Sequence, residues 1–149
     1  MEPKKTFYVA ALAANIVVTG EVVRMLEARG MVPTLDWTKA QEGIHQPYTE
    51  NMEANKPWAD AFAQACADAD VLVLLHYKTE GMRGAYIETG IAVGAMLMAA
   101  KLGFPKPKQI IWATNHDHDK QSLFMCLSSV TLFNGTPEEF LAKLPSLLA

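Results

Sequence analysis

The chain has 149 residues, 50% hydrophobic and 19% charged, with a net charge of −3. That length suits one domain, residues 1–149, with a core that needs no disulfide or metal staple, and a chain without a Lys/Arg run lacks the concentrated cations that a polynucleotide groove requires. Two cysteines in apolar stretches, Cys66 and Cys126, form no disulfide framework and fit a reducing cytoplasm, and no apolar run reaches the ~20 residues of a membrane span.

In chain order, Thr6–Ala11 is a short apolar run with Phe, Tyr and Val, and it reads as a buried strand. Val17–Arg29 carries apolar residues at 18, 22, 25 and 26, a helical stripe closed by Gly30. Met31–Leu35 is a second strand. The polar stretch Asp36–Lys56 has no periodicity and is long for a connection, which predicts a lid over a site or a contact loop. Pro57 fits the first position of a helix running to about Ala69. "DVLVLLH", from Asp70, has five consecutive large apolar residues, as in a parallel strand covered on both faces.

The loop "YKTEGMRG" leads into a helix from about Ala85 to Leu102, ended by Gly103. "QIIWA" is a fourth strand, "TNHDHDKQS" a polar loop before a short helix, and "SVTLF" a fifth strand. "TPEEFLAKLPSLL" is a last helix with Thr136 as N-cap and Pro137 at its first position. Strands alternating with helices predict an α/β fold: a five-stranded parallel doubly wound sheet, flavodoxin-like or Rossmann-like, with helices on both faces. Ligands then bind outside the carboxyl ends of the strands, which selects the loops after Ala11, Leu35, Leu75 and Ala113.

The loops chosen in this way contain the candidate residues. Glu88 is a carboxylate set among the small residues of "GAYIETGIAVGA", residues 84–95. Either it satisfies the helix dipole near the helix start, or it serves chemistry. Gly84, Gly90 and Gly94 weaken a helix by up to ~1 kcal/mol each, so close packing or room for a ligand is gained in return. His76 ends the third strand, suited either to acid–base work near neutral pH or to packing. Trp37, after Asp36, either stacks a base or covers the edge of the core. Arg83 is the cation best placed to meet an anion, or a solvated loop residue. The "HDHD" run at 116–119 has metal-ligating residue types, but adjacent side chains cannot all reach one ion, and a solvated loop is expected instead. No G-x-G-x-x-G, P-loop, C-x-x-C or G-x-S-x-G motif is present, so no nicotinamide or other cofactor and no metal is expected.

An aspartate before an apolar strand ("ADADVLVLL"), a loop, and then Gly84, Glu88 and Gly90 at their spacing resemble the central motif of the nucleoside 2-deoxyribosyltransferase superfamily, which includes the 2'-deoxynucleoside 5'-phosphate N-hydrolases. "KKTFYVAALA" is similar to the family's first strand, whose tyrosine matches Tyr8. The matching core covers roughly residues 5–15 and 60–113. The resemblance implies that Glu88 attacks C1' of a deoxyribose and displaces the base, that Tyr8 orients Glu88, and that the sugar passes to another base or to water. It implies a small-molecule nucleoside or nucleotide as substrate and a homo-oligomer; Gly84 of the motif and the residues at the strand ends and loops (Ala11, Asp36, Trp37, His76 and Arg83) are the candidates to bind it. The chain departs from the family's transferases at Met82 and Phe62, where they carry aspartates, and Asp60 lies two residues from the second position. Unlike the phosphate-specific hydrolases, its first loop, "ALAANIVVTG", has no cation.

Overall fold

The computed structural model describes residues 4–39, 43–78, 82–104, 108–115 and 123–148. The order of elements is β1 (Thr6–Ala11), α1 (Ile16–Ala28), β2 (Val32–Pro33), α2 (Met52–Asp68), β3 (Val71–His76), α3 (Arg83–Lys101), β4 (Gln109–Thr114), β5 (Val130–Asn134) and α4 (Pro137–Leu147). The strands form one sheet in the order β2-β1-β3-β4-β5, parallel throughout. This is the doubly wound α/β architecture expected from the alternation of apolar runs. The chain order reverses between β1 and β3, so the crevice at their carboxyl ends, Ala11 and His76, is the switch point.

Alternation along the strands divides the core in two. Phe7 and Val9 of β1 pack with Val71, Val73 and Ile111 under α1 and α4. Tyr8 and Ala10 point the other way and pack with Leu72, Leu74, Ile110 and Trp112 beneath α2 and α3. All six residues of β3 are buried, as a central strand covered on both faces requires.

Local chemistry explains the element ends. At the end of α1, Gly30 (φ 79°) donates to Glu27 O and Met31 to Leu26 O, and Gly103 (φ 76°) and Phe104 close α3 in the same way. Thr136 and Glu139 form a reciprocal capping box at α4. Asp70 clasps the amino end of the sheet: its carboxylate accepts from Thr6 N–H and Thr6 Oγ1, both at 2.8 Å.

Three boundaries differ from the sequence expectation. β2 is two residues long rather than five: Val32 and Thr34 donate to Lys5 O and Phe7 O, the N–H that Pro33 lacks would face the open edge of the sheet, and the chain leaves β1 after Thr34. α2 begins five residues before Pro57, which sits inside the helix. α3 starts at Arg83, so Glu88 is its sixth residue. The expected lid is partly structured. Trp37–Lys39 is a 3-10 turn, and Asn55 of α2 exchanges two hydrogen bonds with the backbone of His45 (2.9 and 2.8 Å). The short helix expected after β4 is a 3-10 turn at Leu123–Cys126, and the "HDHD" residues 116–119 lie outside the described residues. Among the described residues no helix is long and apolar enough to cross a membrane, and no cluster of three His, Cys, Asp or Glu side chains could hold a metal ion.

Candidate active site

Tyr8 is the third residue of β1, opposite Leu72 of β3, and is fully buried. Its side chain rises from the sheet toward α3, where its hydroxyl donates to Glu88 Oε1 at 2.8 Å. The two residues are 80 apart in sequence. The fold brings them together because β1 and β3 are neighbours and α3 follows β3 back across that face. Among the described residues no cation pairs with Glu88, so the phenol is the partner of this carboxylate.

Burial governs the electrostatics here. It raises the Glu88 carboxyl to about 7, with the Tyr8 hydrogen bond acting in the opposite direction. A place near the helix start, where the dipole favours a carboxylate, would instead keep the group ionised. Glu88 lies beyond the first turn, where those groups and the dipole act, so desolvation prevails. Burial and the neighbouring Glu88 charge raise Tyr8 well above a free phenol, which keeps it a hydrogen-bond donor. Cys66 of α2, fully buried, is the third member of the group. Burial and the Glu88 charge push its thiol up to about 12, against the effect of the Tyr8 contact. Sequence reasoning did not select Cys66. Its only signal is its place on the stripe Phe62, Ala65 and Cys66 of α2, continued by Ala69 at the helix cap.

The other candidates lie in three places. Asp36 accepts from Thr38 N–H (3.2 Å), Thr38 Oγ1 (2.6 Å) and Lys39 Nζ (2.8 Å). Burial alone would raise its carboxyl, but the bonds from Lys39 and Thr38 outweigh it and hold the group below its ordinary value. Trp37 is buried, and its indole N–H donates to Val9 O at 2.7 Å. Lys5 O and Phe7 O accept from Val32 and Thr34, so Trp37 supplies the next donor along β1 where the shortened β2 supplies none. This arrangement matches the reading of Trp37 as cover for the edge of the core.

Ala11 ends β1, half-buried, opposite Leu75. Arg83 and Gly84 open α3 and are exposed. Lys78, after β3, donates to Ala14 O after β1 at 3.3 Å, across the switch-point crevice.

His76 belongs to a separate cluster. It is buried, with Nε2 2.5 Å from Tyr86 Oη and Nδ1 3.3 Å from Thr114 Oγ1. Its ring meets Trp112 edge-on at 5.8 Å. Tyr86 was not singled out from the sequence, and its one signal is its place two residues before Glu88 in the stretch 84–95. Glu88 shares the buried stripe of α3 with Ala85 and Ala92, whereas Tyr86 looks away from it.

No protein-family model and no curated protein matches the sequence. Among solved structures, the fold is similar to that of Clostridium botulinum CMP N-glycosidase, BcmB, with a TM-score of 0.58 and 15% identity over 95% of this chain and 99% of that one. At that identity the likeness is one of fold.

Proposed function

We propose that this protein cleaves the N-glycosidic bond of a nucleoside or nucleotide, with Glu88 as nucleophile and Tyr8 as its positioning residue. The observation that carries the reading is the 2.8 Å bond between the buried Tyr8 hydroxyl and the half-buried Glu88 carboxylate, beside the switch point of a doubly wound sheet. The similar fold of a CMP N-glycosidase supports the reaction class.

In the first step a Glu88 oxygen bonds to C1' as the C1'–N bond breaks. The base leaves with the bonding pair and takes a proton from water. An anion on one face of the sugar both stabilises the oxocarbenium character at C1' and traps it. Water, or the nitrogen of a second base, then attacks C1' and releases the carboxylate. Tyr8 fixes one carboxylate oxygen and leaves the other for attack. The reaction needs no cofactor. We place the protein in the cytoplasm, consistent with its free cysteines, as a homo-oligomer. Ile87, Met98 and Leu102 support the assembly, because they expose 54–65% of their surface along one flank of α3.

A second reading is favoured by one specific observation. Met82 is buried, and Phe62 packs against the same cluster, at the two positions where the resembling transferases carry aspartates. A nucleoside-binding module with weak or absent turnover fits that apolar lining. The test is incubation with deoxynucleosides, ribonucleosides and their 5'-monophosphates, CMP included, with and without a second free base, followed by chromatography. Free base alone indicates hydrolysis and a new nucleoside indicates transfer. No cleavage of any compound, with binding of one, supports the module instead.

A further inference from the structure

The flank of α3 that turns away from Glu88 borders a cavity of about 610 Å³ against β4 and β5. Tyr86, Gly90 and Leu97 form its helical side, and Trp112 of β4 and Val130 of β5 its sheet side. We propose that this cavity binds an uncharged flat aromatic heterocycle with hydrogen-bond acceptors on its edge, at a site separate from the Tyr8–Glu88 pair. The inference does not rest on the proposed glycosidic reaction.

Four observations carry it. The volume lies within the ~300–1,000 Å³ of small-molecule sites. Gly90 and Gly94 both line the cavity, and a Cβ at either would meet nothing within 4 Å, so the neighbouring atoms do not require glycine there. Glycine inside a helix costs up to ~1 kcal/mol relative to alanine, and here it keeps the space open. Trp112 is buried, and its indole N–H has no hydrogen-bond partner among the described residues. A shielded, unpaired donor costs about 1–3 kcal/mol, a cost relieved if a small turn of the indole at the cavity wall brings its N–H to an acceptor on a ligand edge.

Lastly, the Tyr86 ring lies 6.3 Å from the buried Trp112 ring and tilted by 43°, and each contacts His76, so the exposed Tyr86 ring is braced as an aromatic surface at the cavity. Among the described residues no Lys or Arg lines the cavity, so a phosphate-bearing compound would enter without a counter-charge from them.

The test is titration of the ¹⁵N-labelled protein with adenine and with cytosine, following the indole N–H signals of its three tryptophans by NMR. The Trp112 signal is assigned with Trp112→Phe. We expect it to move downfield and saturate with at least one heterocycle. Gly94→Leu fills the cavity and should weaken binding by about tenfold or more. Gly94→Ala adds a single methyl to open space and provides a milder variant, expected to weaken binding less. Adenosine 5'-monophosphate should leave the Trp112 signal in place.

Three results would overturn the proposal: a Trp112 signal indifferent to both bases, undiminished binding in Gly94→Leu, or equal binding of the monophosphate. A signal that moves with protein concentration and not with heterocycle would also overturn it, by placing a second copy of the chain in the groove.

Discussion

The two faces of the sheet are built from the same strands to different ends. Under α1 and α4, the apolar side chains are Phe7, Val9, Val22, Leu26, Val71, Val73, Ile111, Phe140 and Leu144, with Tyr77 among them and Thr19 buried on the same face of α1, its hydroxyl bonded to Asn15 O. Under α2 and α3, one residue further along each strand, stand Tyr8 and Trp112, facing Cys66 and the Glu88 carboxylate. The period of two in a strand makes this separation possible: adjacent residues serve opposite layers, so one face can be optimised for packing while the other holds groups that burial penalises. Changes on the first face should therefore be read out as stability, and changes on the second as activity and pH dependence.

Truncation on the packing face should have the largest effect. Phe140 is fully buried and packs against Phe133, the ring centroids 5.4 Å apart and the planes tilted by 52°. Phe140→Ala should destabilise the protein by about 3–5 kcal/mol in denaturant unfolding. A loss below about 1 kcal/mol would show that this face is not the main source of stability.

On the other face, removing the charge should stabilise. The folded protein raises Glu88 from 4.5 to about 7, so in that interval it holds a proton that the unfolded chain releases. Stability therefore falls as pH rises through this window. Glu88→Gln should be more stable than the wild type by on the order of 1–3 kcal/mol at about pH 8, and the advantage should disappear below about pH 4. A constant difference across the range would mean that Glu88 is not buried as described.

Tyr8→Phe removes the hydrogen bond that opposes the effect of burial on Glu88. The carboxyl should then titrate above about 7, visible by ¹³C NMR of the side chain, with any cleavage activity reduced about 10–100-fold. An unchanged titration would separate the two residues. The smallest effect belongs to Thr136→Ala, which removes the capping box of α4 and should cost about 1 kcal/mol with turnover unchanged.

Much of this division was legible in the chain. The run Val71–Leu75 announced the central strand because a strand covered on both faces has no polar positions to interrupt it. Thr136, Pro137 and Glu139 announced α4 because capping is local chemistry. Tyr8 and Glu88 were found together through a motif, and the fold places them in contact.

Effects that depend on distant residues were not legible. β2 pairs with β1 only as far as Thr34, and Trp37 donates to the next carbonyl, that of Val9, a consequence of where the ladder stops. α2 ran through Pro57, whose position suggested a helix start. The depth of Glu88 depends on how α3 lies against α2 and the sheet, so its raised pKa could not be read from a position near the helix start. Cys66 and Tyr86 sit among ordinary core residues in sequence, and only the packing gives them polar neighbours.

The central claim is that the carboxylate of Glu88 carries out the chemistry on the polar face. Its most direct test is the rate at which purified Glu88→Gln protein releases free base from a nucleoside or nucleotide that the wild type cleaves, measured at about pH 8, where the wild-type carboxyl is ionised. The account predicts a folded protein whose rate is lower by about 10³-fold or more. A folded Glu88→Gln protein that releases base at the wild-type rate would contradict it.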